Sequence, residues 1–147
     1  MRALMTVIAA ILLCVVAGSA LARDTKHMYL IAEALDRPVA TEKLGTAVAF
    51  YFGKQEHPPV ARTLGEYTAN RKTNAANKSD REACQWVFLS AMLALRDRAL
   101  QEGGDAVINI KSYYKKNEVV SNSEYECHAG AVVAGVALRG TVVKLAK

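Results

Sequence analysis

The stretch SDREACQWVFLSAMLALRDRALQEGGDAVINI, Ser79 to Ile110, decides how the rest of the chain is read. Ser79-Asp80-Arg81-Glu82 is a capping box. The Ser79 hydroxyl is placed to accept the Glu82 amide while the Glu82 carboxylate reaches back to Ser79, so a helix starts here. Cys84, Val87, Phe88, Ala91, Met92, Leu95 and Ala99 recur at three- and four-residue spacing and form one buried face, while Asp80, Arg81, Arg96, Asp97, Arg98 and Glu102 stay in water. Gly103-Gly104 stops the helix, because glycine takes left-handed torsions without a Cβ clash. Ala106 to Tyr114 then reads as a strand, with Ala106, Ile108 and Ile110 on one face and Asn109 and Lys111 on the other.

Downstream, Lys115-Lys116-Asn117-Glu118 reads as a turn and Ser121-Asn122-Ser123 as a wider connection. Ala131 to Leu138 is apolar on both alternating faces, as in a strand covered on each side; Gly135 suggests close backbone approach and Gly140 a bulge or a bend before Thr141 to Leu145. The ten residues from Ala129 to Leu138 are too few to cross a bilayer. Upstream, Thr46 to Phe52 reads as a strand, Gly53 and Pro58-Pro59 as a loop, and Val60 to Tyr67 as a second strand antiparallel to the first. Thr68 to Lys78 is polar, without apolar period, and reads as a loop. His27 to Leu35 fits a strand or a short helix, and Asp36-Arg37-Pro38 a turn or extended link. The expected fold is α+β, a small, mainly antiparallel sheet of about four strands against one main helix. Residues 46–147 form this domain, and 23–45 an N-terminal extension in which His27 to Leu35 stays open between strand and short helix.

Met1 to Ala22 has the pattern of a cleaved secretory signal: Arg2 as a positive start, an apolar core from Ala3 to Val16, and Ala20-Leu21-Ala22 as a small-residue cleavage site. The apolar core is shorter than a membrane span needs. Cys14 follows Leu13, where lipid attachment generally needs glycine or alanine, so lipidation there is discounted. Arg2 is the only charge removed, which takes the formal charge from +5 to +4. A mild basic excess of this kind is compatible with peripheral contact with an anionic envelope surface, but in most secreted basic domains it is simply a set of solvated lysines, and that reading is preferred.

Cleavage leaves Cys84 and Cys127 as the remaining cysteines, and an oxidising periplasm favours a disulfide between them over two buried thiols. His27, His57 and His128 are scattered, with no C-x-x-C, H-x-x-x-H or acidic cluster, and Cys127 and His128 point to opposite faces of a strand. No metal site, catalytic constellation or cofactor is therefore assigned. Without a G-x-x-x-x-G-K-[ST] stretch there is no nucleotide loop. Arg71, Lys72, Lys78 and Arg81 near Tyr67 only approximate a nucleic-acid surface, and export argues against one. The expected partner surface is Arg71, Lys72 and Lys78 in the polar segment with Tyr113, Tyr114, Lys115 and Lys116 at the turn. Tyr113, Tyr114 and Tyr125 fit either a contact patch or a cross-strand aromatic pair shielding the sheet.

Leu64-Gly65-Glu66 after a strand, then a helix, Asp105-Ala106-Val107-Ile108, and Cys127 leading into Ala131 to Leu138, together resemble in order two groups of small domains. These are the RcsF-like outer-membrane stress-sensor lipoproteins and the YbjQ-like domains often described as heavy-metal-binding. The resemblance covers about residues 46–145 and implies a compact α+β domain. The sensor lipoproteins carry two disulfides; Ser112 and Val133 stand where the second pair would fall, and the lipidated cysteine and proline-rich linker are missing. The resulting expectation is a non-enzymatic periplasmic envelope protein, an interaction or stress-sensing domain with an envelope protein as partner. The alternative is a periplasmic heavy-metal-binding module.

Overall fold

The computed structural model describes residues 22–147; the expected leader, Met1 to Ala22, lies outside them except for Ala22. The chain runs β1 (Thr25–Leu30), α1 (Ile31–Leu35), α2 (Pro38–Leu44), β2 (Ala49–Phe52), β3 (Val60–Asn74), α3 (Asp80–Gln101), β4 (Ala106–Ser112), a tight turn at Tyr114–Lys116, β5 (Glu124–Ala129) and β6 (Val133–Leu145).

Helix α3 begins and ends on its sequence signals, although only the Ser79 half of the expected capping box forms: among the described residues no hydrogen bond joins the Glu82 carboxylate to Ser79. Ser79 Oγ accepts the Glu82 N–H at 3.1 Å. At the far end Gly103 has φ of 77°, and Gly104 N–H donates to Ala99 O at 2.8 Å. All seven residues of the expected stripe are buried, and so are Ala83 and Leu89 beside it. The wider face arises because α1 and α2 pack on α3, burying Ile31, Ala34, Ala40 and Leu44 in the same core. The His27 to Leu35 ambiguity resolves as β1 followed directly by α1. Pro38 does not make an extended link; it opens α2, at a position where its missing N–H is no loss.

The fold is α+β, with a curled, mixed sheet in place of the expected mainly antiparallel, roughly four-stranded one. Its six strands run β1-β5-β6-β4-β2, with β3 on β6. β2 and β4 are parallel. β2 and β3 do not form the expected antiparallel pair, because the loop through Pro58-Pro59 carries the chain away and β3 lies along β6 from Val60 to Asn74. That pairing makes a strand of most of the polar Thr68 to Lys78 segment, expected to be a loop. β6 offers a whole edge of amides and carbonyls, and charged and polar side chains are what an outer strand tolerates. On its other edge β6 pairs with β5 at Ala134 and Gly135, and with β4 from Leu138 to Val143.

β4 ends at Ser112, two residues short of expectation, and changes phase within itself. Asn109 has φ of 52° and sits in a bulge between Ile108 and Lys111. The extra residue turns Ile110 to the face of Val107 in the main core, while Ala106 and Ile108 pack with Val143 on the opposite face. The bulge expected at Gly140 therefore falls on its partner strand. A Cβ at Gly140 would lie 2.6 Å from Val107 Cγ1, so glycine there makes room for β4. Gly135 has no such need; a Cβ would meet its neighbours at ordinary contact distances of 3.7–3.8 Å.

Candidate interaction surface

Alternation along β5 separates two environments. Tyr125, Cys127 and Ala129 face α3. There Cys84 and Cys127 form a disulfide, with Cα atoms 5.9 Å apart, and Phe88 stacks on Tyr125 at 4.1 Å. Burial pushes the Tyr125 hydroxyl pKa well above its ordinary value, so the group stays neutral.

The opposite face carries Glu126 and His128. Glu126 is 5% exposed; its N–H donates to Ser112 Oγ at 2.9 Å, and one carboxylate oxygen, Oε1, lies 2.6 Å from His128 Nε2. His128 Nδ1 lies 3.1 Å from Asp24 Oδ1. Tyr114 covers the imidazole with ring centroids 3.6 Å apart and planes 10° from parallel. Its hydroxyl pKa is raised by burial first and then by the nearby Asp24 and Glu126 carboxylates. The chain reaches this position through backbone constraint: Tyr113 N–H donates to Ala137 O at 2.8 Å, and Lys115 and Lys116 follow with φ of 50° and 65°. Two successive non-glycine residues in the left-handed region are costly, a kind of backbone strain that clusters at functional positions.

Of the seven predicted surface residues, the structure gathers Lys72, Tyr114 and Lys115. A Cβ on Gly135 would lie 3.7 Å from the Tyr114 ring and 3.8 Å from Lys72 Cγ, so both side chains cover that glycine. Lys115 Nζ is 5.5 Å from the Tyr114 ring centre, and Lys116 is exposed beside it. Tyr113 sits one step away under Arg139, whose guanidinium carbon is 4.8 Å from the ring centre and which is paired with Glu66. Arg71 and Lys78 are not part of this patch. Arg71 is in register with Val136 and so shares the α3 side of the sheet, and Lys78 Nζ donates to Asn74 O at 2.9 Å beyond the strand's end. Tyr125 lies in the core, so the three tyrosines do not form one patch.

Asp24, Glu126 and His128 were missed as part of this surface, because their meeting depends on strand register. His128 as the alternate residue after Cys127 was the one available signal. A second cluster was equally silent in the sequence. Asp80 accepts from both Arg23 terminal nitrogens at 2.8 and 2.9 Å and lies 2.8 Å from His27 Nε2. The Arg23 guanidinium, and then His27, hold its carboxyl pKa well below the usual range. This cluster ties β1 to the start of α3.

Among the described residues no group of three or more His, Cys, Asp or Glu is arranged to hold a metal ion. Asp24 and Glu126 approach His128 at its two different ring nitrogens, which keeps them from sharing an ion with it. His57 is elsewhere, with Nδ1 2.8 Å from Pro58 O. Among the described residues no helix is long and apolar enough to cross a membrane, and the disulfide is a bond of oxidising compartments. Neither a scan against protein-family models nor a search of curated proteins finds a match to this chain.

Proposed function

We propose that the chain is a non-enzymatic, exported envelope protein whose Lys72, Tyr114, Lys115 and Lys116 surface binds a partner protein in the periplasm. The observation that carries this reading is the strained Lys115-Lys116 turn presented over the stacked Tyr114 and His128 rings. Tyrosine is enriched at contact surfaces, and the flanking lysines would stand in the polar rim that surrounds such a contact. The buried Cys84–Cys127 disulfide supports an oxidising compartment, and with the leader pattern of Met1 to Ala22 it supports periplasmic export. The stress-sensing part of the proposal rests on the resemblance to the stress-sensor lipoproteins. A heavy-metal-binding role would have to recruit His27 and His128 away from the carboxylates that hold them.

The test places a photoreactive residue at position 116 in the exported protein and irradiates intact cells. A discrete protein adduct that disappears with Tyr114→Ala and with Lys115→Glu is expected. Adducts unaffected by both changes, or equally strong from position 120, would remove this surface as the contact. Intact mass of the same material checks export, with a chain beginning at Arg23 and carrying no labelled thiol as the expected result.

A further inference from the structure

The hairpin that joins β5 to β6 carries unusual residues for a turn. Gly130 N–H donates to Val133 O at 2.8 Å, which leaves Ala131 and Val132 as a two-residue loop. Such loops ordinarily use Asn, Asp or Gly, for polarity and for positive φ. Val132 is 65% exposed, the most exposed large apolar side chain among the described residues, and Val133 is 47% exposed. The tip is also anchored, since Val132 O accepts the Ala75 N–H at 2.7 Å.

Cations surround this tip. Across four strands, Lys26 is in register with His128, His128 with Gly135 and Gly135 with Lys72, a row two residues back from Val133. Arg71 lies one residue further along β3, and Lys78 bonds to Asn74 O, where Asn74 is in register with Val133. At ~3.3 Å per residue and ~4.8 Å per strand, the register places Lys26, Arg71 and Lys72 roughly 8–12 Å from Val133, about one to one and a half Debye lengths at physiological salt. Among the described residues the carboxylates at this end include Asp24 and Glu126, both at His128, Asp80, held by Arg23 and His27, and Glu82 in the first turn of α3. Lys26, Arg71, Lys72 and Lys78 make no ion pair among the described residues.

We propose that this hairpin tip docks on an anionic phospholipid surface. Val132 and Val133 enter the boundary between headgroups and acyl chains, while Lys26, Arg71, Lys72 and Lys78 meet the phosphates. A convex apolar point inside a cationic collar matches a bilayer, which offers a yielding apolar layer beneath a negative plane. The tip shares Lys72 with the Tyr114 surface, so the variants below leave that residue unchanged; the proposal rests on the envelope reading only for the bilayer it would meet.

The test is flotation of the disulfide-bonded exported protein with vesicles of equal parts phosphatidylglycerol and phosphatidylcholine, or of phosphatidylcholine alone. Salt-sensitive binding to the anionic vesicles is expected. Val132→Asp should weaken it about tenfold through the lost apolar insertion. Arg71→Glu with Lys78→Glu should weaken it by more, at roughly fivefold for each cation removed. Val120→Asp, at an apolar side chain 53% exposed elsewhere, should leave binding unchanged. Wild-type protein that ignores anionic vesicles at low salt would overturn the proposal, as would Val132→Asp protein that binds like wild type. Crosslinking at position 116 reads the Tyr114 surface separately, so each reading can fail alone.

Discussion

Cys127 and His128 are neighbours in sequence, yet they belong to regions of opposite character. Cys127 is covalently joined to α3 in a dry layer of Phe88, Tyr125 and aliphatic side chains. His128 lies between two carboxylates beneath Tyr114 on the face turned away from α3. The difference shows how a small sheet divides stability from recognition. One set of alternating residues supplies the buried area that holds the chain together, and the other is left to carry charge and shape. The open face is not uniform either. Ala106, Ile108 and Val143 make a small apolar cluster on it beside β2, and the polar residues gather at the β5 end.

Removing the covalent link should test this division most strongly. Cys84→Ala with Cys127→Ala frees a loop of sequence separation 43 and is expected to cost roughly 4 kcal/mol on the loop-entropy model. Urea denaturation would show this as a lower midpoint. If the division holds, crosslinking from position 116 survives wherever the variant remains folded.

Gly140→Val is expected to destabilise by about 1–3 kcal/mol, because the added carbons enter space occupied by Val107 and Ile110. Gly135→Ala, placed in open contact distance on the same strand, should cost less than about 1 kcal/mol. Equal losses at the two positions would show that the bulge at Asn109 can relax. The measurement is again a denaturation midpoint.

A smaller effect is expected at Tyr125, whose hydroxyl is buried without a protein hydrogen-bond partner. Tyr125→Phe should raise stability at neutral pH by up to about 1 kcal/mol, since it removes an unpaired polar group. The native pKa is raised by burial. The native state therefore keeps its proton where the unfolded chain has lost it, and stability is complete below the unfolded value of about 10 and declines as pH rises above it. Tyr125→Phe should flatten that alkaline decline. A midpoint that falls at neutral pH would mean the hydroxyl is satisfied after all.

The smallest stability effects belong to the open face. Lys116→Gly is expected to change stability by less than about 1 kcal/mol, upward, by relieving the left-handed torsion. The same change should weaken crosslinking from position 115. A large loss of stability would show that the turn supports the fold and would erase the contrast between the faces.

Tyr114, Lys115 and Lys116 could be read as a turn because turns leave local chemical traces, and Lys72 as a surface cation because its segment is polar. Their meeting with His128, Glu126 and Asp24 depends on which residue of β5 lies beside which residue of β6 and β1. Period-two alternation gives a strand its faces without giving it a neighbour. For the same reason Thr68 to Asn74 read as a loop: apart from Ala69, which the fold buries against the core, its residues are polar on both alternating faces, and only the long edge of β6 makes it a strand. By itself the sequence determined α3, through its cap, its apolar stripe and its glycine stop, and the pairing of Cys84 with Cys127, through the count of cysteines left after the leader. Those signals act within a few turns of chain or through covalent arithmetic. Tertiary structure alone decided the parallel β2–β4 pair, the phase change at Asn109, the cover of α1 and α2 on α3, and the polar cluster around His128. Each needs two distant segments to arrive at one register, and that choice is made by packing and by the completion of backbone hydrogen bonds.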